Sequence, residues 1–412
     1  MNRNRRISVA HVTTVDLSLR YLLLNQLRSL GSHGYEVTGV SSPGPDVPTI
    51  EAAGVRHIPV SMTRNPFTPV RDLGALTRLA AHFRQERFDI VHTHTPKPGL
   101  LGQLAARMAR VPVVVNTIHG FYFHEHMSPL LRQFYIRMEK IAARCSDIVL
   151  CQSREDLQTA LREGIGGRKK LRFLGNGIDL VRFDPRWVSG VGAAEKRIEL
   201  GIAPDSVVVG FVGRLVEEKG LLELFAAAPR IRTQIPNVHF LLIGPVDAPK
   251  PDAVSPATAD EYGIGSYCTF LGMRQDMPEL YGAMDVFVLP SHREGFPRTP
   301  MEASAMGVPC VVTDIRGCRE AVQAGVNGLL VPRRNAEQLA DAIVRILRDT
   351  DLARRLGRGG AQMARERFDE QRVFGTVRSE YERLLHEKGL KVPDRPAMAA
   401  EALACAGGGT PE

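Results

Sequence analysis

Residues 207–225 read Val207-Val-Val-Gly-Phe-Val-Gly213-Arg-Leu-Val-Glu-Glu-Lys-Gly220-Leu-Leu-Glu-Leu-Phe225. The uninterrupted apolar run Val207–Val212 has the pattern of a strand buried on both faces. A glycine-bounded basic turn follows, and helical periodicity begins near Leu221. Strand, turn and helix in this order make half of a parallel βαβ unit.

The same alternation extends in both directions. Downstream, strands are predicted at His239–Ile243, Thr269–Leu271, Val286–Leu289, Pro309–Val312 and Leu329–Val331. Upstream they are predicted at Ile7–Val12, Glu36–Val40, Asp89–His92, Val111–Asn116, Asp147–Leu150 and Leu171–Phe173. Helical patterns at Leu17–Leu30, Leu73–Arg87, Gly99–Ala109, Pro129–Arg144 and Arg154–Glu163 separate the upstream strands. The expected architecture is α/β, with two Rossmann-like, doubly wound parallel-sheet domains facing a cleft. Arg182–Ala203, with Pro185, Gly190 and Gly192, reads as a linker. The predicted divisions are a first domain over residues 1–186 and a second over 187–372. A C-terminal helix over 373–391 crosses back to the first domain, and a disordered tail covers 392–412.

Composition narrows the function classes. The 412 residues are 44% hydrophobic and 24% charged, which excludes a disordered chain, a collagen-like repeat and a small disulfide scaffold. No window reaches the roughly 18 apolar residues of a membrane span, and Ile7–Val12 is too short for a signal segment. The six cysteines show no C-x-x-C spacing, so reduced thiols and a cytoplasmic location are expected. Residues 1–186 hold 26 Lys and Arg against 15 Asp and Glu, whereas the remainder holds 27 against 30. The basic excess lies wholly in the first half and points to an anionic partner there.

Two loops of the second half carry the densest chemistry. In Leu289-Pro-Ser-His-Arg-Glu-Gly-Phe-Pro-Arg-Thr-Pro-Met-Glu302, a strand ends at Leu289 and a helix opens near Thr299. Glu294 falls on the loop and Glu302 in the first helical turn, giving two acceptors suited to sugar and ribose hydroxyls. Backbone N–H groups from Gly295 onward suit phosphate oxygens, and Gly295 permits close approach. The alternative is a solvated Glu294 and a Glu302 that only favours the helix dipole. In Gly213–Gly220, Arg214 and Lys219 are placed to neutralise a diphosphate, or else Arg214 pairs with Glu217 or Glu218.

With these residues on the page, the stretch from Gly210 to Pro332 resembles the donor-binding domain of retaining glycosyltransferases of family 4, with the GT-B fold. The strings GRLVEEKG, FLGMRQDMPELYGAMDVFVLPS, EGFPRTPMEASAMGVPCVVTDIRGCREAV and GVNGLLV carry the likeness. The first half is similar more loosely, so that residues 5 to 390 are covered, and enzymes of bacterial surface-polysaccharide assembly are the nearest in kind. The resemblance implies that Glu294 contacts the donor sugar, Glu302 the ribose, and Arg214 and Lys219 the diphosphate. Gly213, Gly295, Phe296 and Pro297 would line the same pocket. His119, after strand Val111–Asn116, matches a family histidine close to the transferring sugar. His119, Glu294, Arg214 and Lys219 are therefore the expected catalytic set. The resemblance further implies a nucleotide-diphosphate sugar as donor, a uridine one being expected. The acceptor would be a glycan or a polyprenyl-diphosphate-linked sugar.

Acceptor contacts are expected in the first domain from Thr14, Asp16, His94 and Lys97. The family's glycine-rich turn after the first strand is replaced by Thr13-Thr-Val-Asp-Leu-Ser-Leu19, where Asp16 or Ser18 can alternatively cap a helix. His92 and His94 have the spacing of a metal pair, but no third ligand lies nearby in sequence, although His124 and His126 could approach in space. No metal and no cofactor are expected, in keeping with the missing acidic D-x-D motif. Arg132, Arg137, Lys140 and Arg144 recur at helical spacing and form either a face for an anionic membrane, on the inner side of the plasma membrane, or an ordinary solvated face. A nucleotide-sugar epimerase or a phosphorylase of the same fold is the second reading. A non-catalytic nucleic-acid binder is a distant third, and nucleic acid is not an expected partner.

Overall fold

The computed structural model describes residues 6–393 except 64, 66, 125, 126, 189 and 248–250. Two compact units account for them. One runs to Gly175 and resumes at Val373, and the other spans Asn176–Arg372.

The first unit is built on a seven-stranded parallel sheet of β1 (Ser8–Val15), β2 (Glu36–Ser42), β3 (Arg56–Pro59), β4 (Ile90–His94), β5 (Val113–Ile118), β6 (Ile148–Cys151) and β7 (Leu171–Phe173), in the order β3-β2-β1-β4-β5-β6-β7. Successive side chains alternate between its two faces. Val9, Ile90, Val113 and Val115 face one core with the C-terminal helix Glu370–Glu387, through Val373, Val377 and Tyr381. Ala10, Val12, Val91 and Val114 face the other, beneath helices Pro69–Glu86 and Pro96–Met108. Burial of both faces explains why these strands are almost wholly apolar.

The second unit holds β8 (Val207–Val212), β9 (Val238–Ile243), β10 (Cys268–Phe270), β11 (Val286–Leu289), β12 (Cys310–Thr313) and β13 (Gly328–Val331). All pairings are parallel, in the order β10-β9-β8-β11-β12-β13. Helices Leu221–Gln234 and Ala336–Arg348 pack together over it, with Leu224, Ala228, Leu339 and Ile343 in one core.

Three expectations change. Arg182–Ala203 is not an extended linker. It contains a 3₁₀ turn at Pro185–Trp187 and a helix at Gly190–Glu199. That helix is tied to its own unit by Arg197, whose guanidinium donates to Ala283 O at 2.9 Å and meets Asp285 at 2.9 Å. The change of unit falls at Gly175/Asn176 rather than 186/187, because Ile178 bridges to Asp369 and Phe183 packs edge-on to Tyr281. The edge strand β3 is an addition. Its Arg-His-Ile-Pro sequence is too short and polar to stand out, as suits a protected sheet edge. Of the 392–412 tail, residues from 394 onward lie outside the described residues, as does Cys405.

Candidate active site

In each sheet the strand order reverses once, between β1 and β4 and between β8 and β11. Ligands of open parallel sheets sit beyond the strand C-termini at such a point. The two loops singled out in the second half leave the ends of β8 and β11.

Glycine makes their meeting possible. Gly244 (φ +140) lies against the Gly213 carbonyl, and Gly220 (φ +75) against the Pro290 carbonyl. A Cβ at either position would overlap that oxygen. The turn therefore closes on residues 290–294, held by the His292 N–H donating to Glu218 O at 2.8 Å. Lys219 Nζ then reaches Glu294 Oε1 at 2.5 Å, and Ser291 Oγ donates to the same oxygen at 2.7 Å. The Thr313 hydroxyl fixes Ser291 in turn by donating to its carbonyl at 2.5 Å. Arg214 stands beside them with Nη1 2.9 Å from Asp247, a partner the sequence did not suggest. Glu218 is 4.0 Å from Arg214 and is bonded at 2.9 Å by Arg293. Glu294 is thus an ordered carboxylate with a cation and a hydroxyl on one oxygen, not a solvated loop charge.

Glu302 lies in the first turn of helix Thr299–Ala305 and accepts from Tyr281 Oη at 2.8 Å. Burial lifts its carboxyl above the usual range, against the opposing pull of the Tyr281 hydrogen bond and of Arg298. Arg298 is itself held below its ordinary value by burial. Gly295 O abuts Gly317 (φ +82), where again only glycine fits. Phe296 is a correction. Its ring is 8% exposed and packs edge-on to Phe368, so it belongs to the core and not to a pocket wall. Its carbonyl accepts from Asn176 Nδ2 at 2.8 Å, and Pro297 beside it is half-buried. Ser291, Tyr281, Arg298 and Asn176 were not singled out from sequence. Tyr281 lies 21 residues and Asn176 120 residues from its partner, and no local pattern announces either pairing.

The first unit gathers histidines at its own point of reversal. His92 and His94 stack at 4.2 Å, and His11 of β1 is a third member, correcting the expectation that the pair stands alone. Ligand nitrogens of these three buried imidazoles lie within 4.8 Å of one another. Parallel pairing of β1 with β4, with His11 opposite His92, brings them together across 81 residues of sequence. His94 Nδ1 is 3.0 Å from Nε2 of His119, which lies half-buried just past β5. Burial draws His11 down to about 3, and burial together with neighbouring imidazoles holds His92 and His94 well below the ordinary value, so all three are neutral. Thr95 adjoins them at φ 65, ψ 154, a conformation largely reserved for glycine, and its hydroxyl meets that of Thr14 at 3.1 Å. Of the other neighbours considered, His126 lies outside the described residues.

Asp16 neither caps a helix nor faces outward. Val15 occupies the N-cap position, and the buried Asp16 carboxylate accepts the Asp46 N–H at 2.8 Å. Lys97 is also a correction. Its ammonium bonds Thr63, Asn65 O, Thr68 and Asp72 at 2.6–3.0 Å, bracing that loop, so the geometry gives it no place in acceptor binding. The basic helix is Pro129–Cys145. Arg137 and Arg144 are exposed beside Leu130, Phe134 and Ile141, whereas Lys140 is half-buried. Arg132 departs from the membrane-facing set, because it pairs with Glu163 at 2.5 Å and covers the Phe123 ring.

Comparison with known proteins agrees with this geometry. Residues 193–363 match the family model described as glycosyl transferases group 1, and residues 20–177 match the glycosyl transferase 4-like domain. An Escherichia coli UDP-Gal:alpha-D-GlcNAc-diphosphoundecaprenol alpha-1,3-galactosyltransferase is 30% identical, over 84% of this chain and 89% of its own. The Staphylococcus aureus capsular polysaccharide biosynthesis glycosyltransferase CapM is 27% identical, over 92% and 98%. Among solved structures, Anabaena HepE in complex with UDP and glucose superposes with a TM-score of 0.78 at 22% identity, covering 91% of this chain and 99% of that one. The matched models, the E. coli relative and the two doubly wound sheets agree, and the chain belongs to the family 4 glycosyltransferases of the GT-B fold.

Proposed function

We propose that the chain transfers a sugar, with retention of anomeric configuration, from a UDP-linked donor to a polyprenyl-diphosphate-linked acceptor in surface-polysaccharide assembly. The observation that carries the reading is the Lys219–Glu294–Ser291 cluster on a glycine-closed loop at the strand reversal of the second unit. There Lys219 and Arg214 neutralise the diphosphate, with N–H groups near Gly295 assisting. Glu294 accepts from sugar hydroxyls and Glu302 from the ribose. Such a set stabilises leaving-group charge with fixed cations. The relatives support the nucleotide and the acceptor class. The E. coli protein is named for UDP-galactose and a diphosphoundecaprenol acceptor, and a Campylobacter jejuni relative, 26% identical, for a diphospho-undecaprenol acceptor. A thermal-shift panel of UDP, GDP, ADP and TDP sugars tests the donor. UDP sugars alone are expected to raise the melting temperature. A product assay with lipid-linked acceptors tests the transfer, and epimer formation from nucleotide sugar alone would replace it.

A membrane-linked acceptor calls for a surface that meets the bilayer. No helix among the described residues is long and apolar enough to cross a membrane. The exposed face of Leu130, Phe134, Arg137, Ile141 and Arg144 has an interfacial pattern, and Phe67, 57% exposed, lies 5.5 Å from Phe134. Arg137→Glu with Arg144→Glu is expected to weaken sedimentation with anionic vesicles at least about tenfold. Arg132→Glu, which loses the Glu163 pair instead, should not reproduce that salt-sensitive loss. Unchanged sedimentation of the double variant would remove the membrane role.

A further inference from the structure

We propose that Thr117, His92, Tyr381, His11 and His94 form one hydrogen-bond chain of fixed polarity that holds His119 as its Nδ1–H tautomer. His119 then offers a hydrogen-bond donor to a substrate oxygen rather than a base. The structural half of this stands alone, and only the role toward substrate rests on the transfer reading above.

Strand parity builds the chain. His11, His92, His94 and Thr117 share the sheet face of Val9, Ile90 and Val115, and helix Glu370–Glu387 lays Tyr381 on that face. The links run in sequence. Thr117 Oγ1 is 2.7 Å from His92 Nε2, and His92 Nδ1 is 2.5 Å from Tyr381 Oη. Tyr381 Oη is 3.3 Å from His11 Nε2, His11 Nδ1 is 3.0 Å from His94 Nε2, and His94 Nδ1 is 3.0 Å from His119 Nε2.

Neutral imidazole donates from one nitrogen and accepts at the other, so each link fixes the direction of the next. Only two directions exist for the whole chain, and the Thr117 end chooses between them. Its hydroxyl is buried, and among the described residues its hydrogen-bond partner is His92 alone. If His92 Nε2 carried the proton, the hydroxyl hydrogen would be stranded without an acceptor. The hydroxyl therefore donates to His92, His92 to Tyr381, Tyr381 to His11, His11 to His94 and His94 to His119 Nε2. The His119 proton is left on Nδ1, the ring nitrogen outside the chain. A second proton, on Nε2, would face the N–H of His94, so uptake requires reversing every link. His11, His92 and His94 also have the spacing of a metal cluster. However, each of their ring nitrogens already has a protein partner, which a metal would have to displace.

The test is nitrogen-15 NMR of histidine-labelled full-length protein, with His119 assigned by loss of its signals in His119→Gln. The expected result is an Nδ1–H tautomer in the native chain, retained in Thr117→Ser, and shifted toward Nε2–H in Thr117→Val, which keeps the strand shape but lacks the hydroxyl. Thr117→Val should also lower kcat about tenfold with the donor KM within about twofold. An Nε2–H tautomer in the native protein overturns the assignment, whatever its transferase activity and whether or not the valine variant folds. A Thr117→Val protein with the native tautomer overturns the role of the chain. One equivalent of transition metal in protein purified without chelator, lost on His92→Ala, overturns it in favour of a metal site.

Discussion

Lys219→Ala is expected to reduce sugar transfer by about 10²–10³-fold and to leave the melting temperature within a few degrees of native. The rate loss follows from where the charge sits. Departure of a nucleoside diphosphate concentrates negative charge on the phosphate oxygens, and removing one donor aimed at a developing anion typically costs that factor. The stability expectation follows from the surroundings of Lys219. Its ammonium meets Glu294 at 2.5 Å, outside the apolar core, and Ser291 still donates to the carboxylate once Lys219 is gone. Lys219→Arg keeps the charge but spreads it over a planar fork that does not fit the place of a compact ammonium. It should recover only part of the rate. Steady-state kinetics with the nucleotide sugar, beside thermal melts, check both halves. Near-native turnover of the alanine variant would move leaving-group stabilisation away from this loop.

Glu294→Gln is expected to lower kcat/KM for the donor about a hundredfold. Gln keeps the volume and one carbonyl oxygen for Ser291, yet it loses the charge that strengthens hydrogen bonds from sugar hydroxyls. Two charge-assisted bonds reduced to neutral ones, at roughly 1.5 kcal/mol each, give about that factor. Because Glu294 and Lys219 touch, their effects should not multiply. The double variant Lys219→Ala, Glu294→Gln is expected to be less impaired than the product of the single losses. Strict multiplicativity would show that the two residues act on the donor independently.

The parts of this molecule legible in its sequence are those governed by local pattern. Apolar β-branched runs marked all strands of both sheets except the edge strand β3, whose four residues include Arg56 and Pro59. Glycine punctuation marked the loops at Gly213–Gly220 and around Gly295, and the structure joins Lys219 to Glu294 there. Helix Gly190–Glu199 was hidden by Gly190 and Gly192, poor helix formers whose cost is offset when Arg197 anchors the segment. Pairings between distant residues left no trace. Tyr381 meets His92 across 289 positions, and Lys97 turned out to brace a loop because four oxygens converge on it. A charged residue in a suggestive place shows what it can bind, while its neighbours in space decide whether it is already engaged.

The interrupted order of the first unit has a consequence for how the protein is made. Its sheet is complete in sequence by Phe173, but the helix carrying Val373, Val377 and Tyr381 emerges only after the whole of Asn176–Arg372. At synthesis rates of about 5–20 residues per second, the apolar face awaiting that helix stays uncovered on the ribosome for roughly 10–40 s. The later-synthesised unit is contiguous and can close its own core first. The amino-terminal sheet is therefore the last part of the chain to be finished, and during translation it is the part exposed to chaperones.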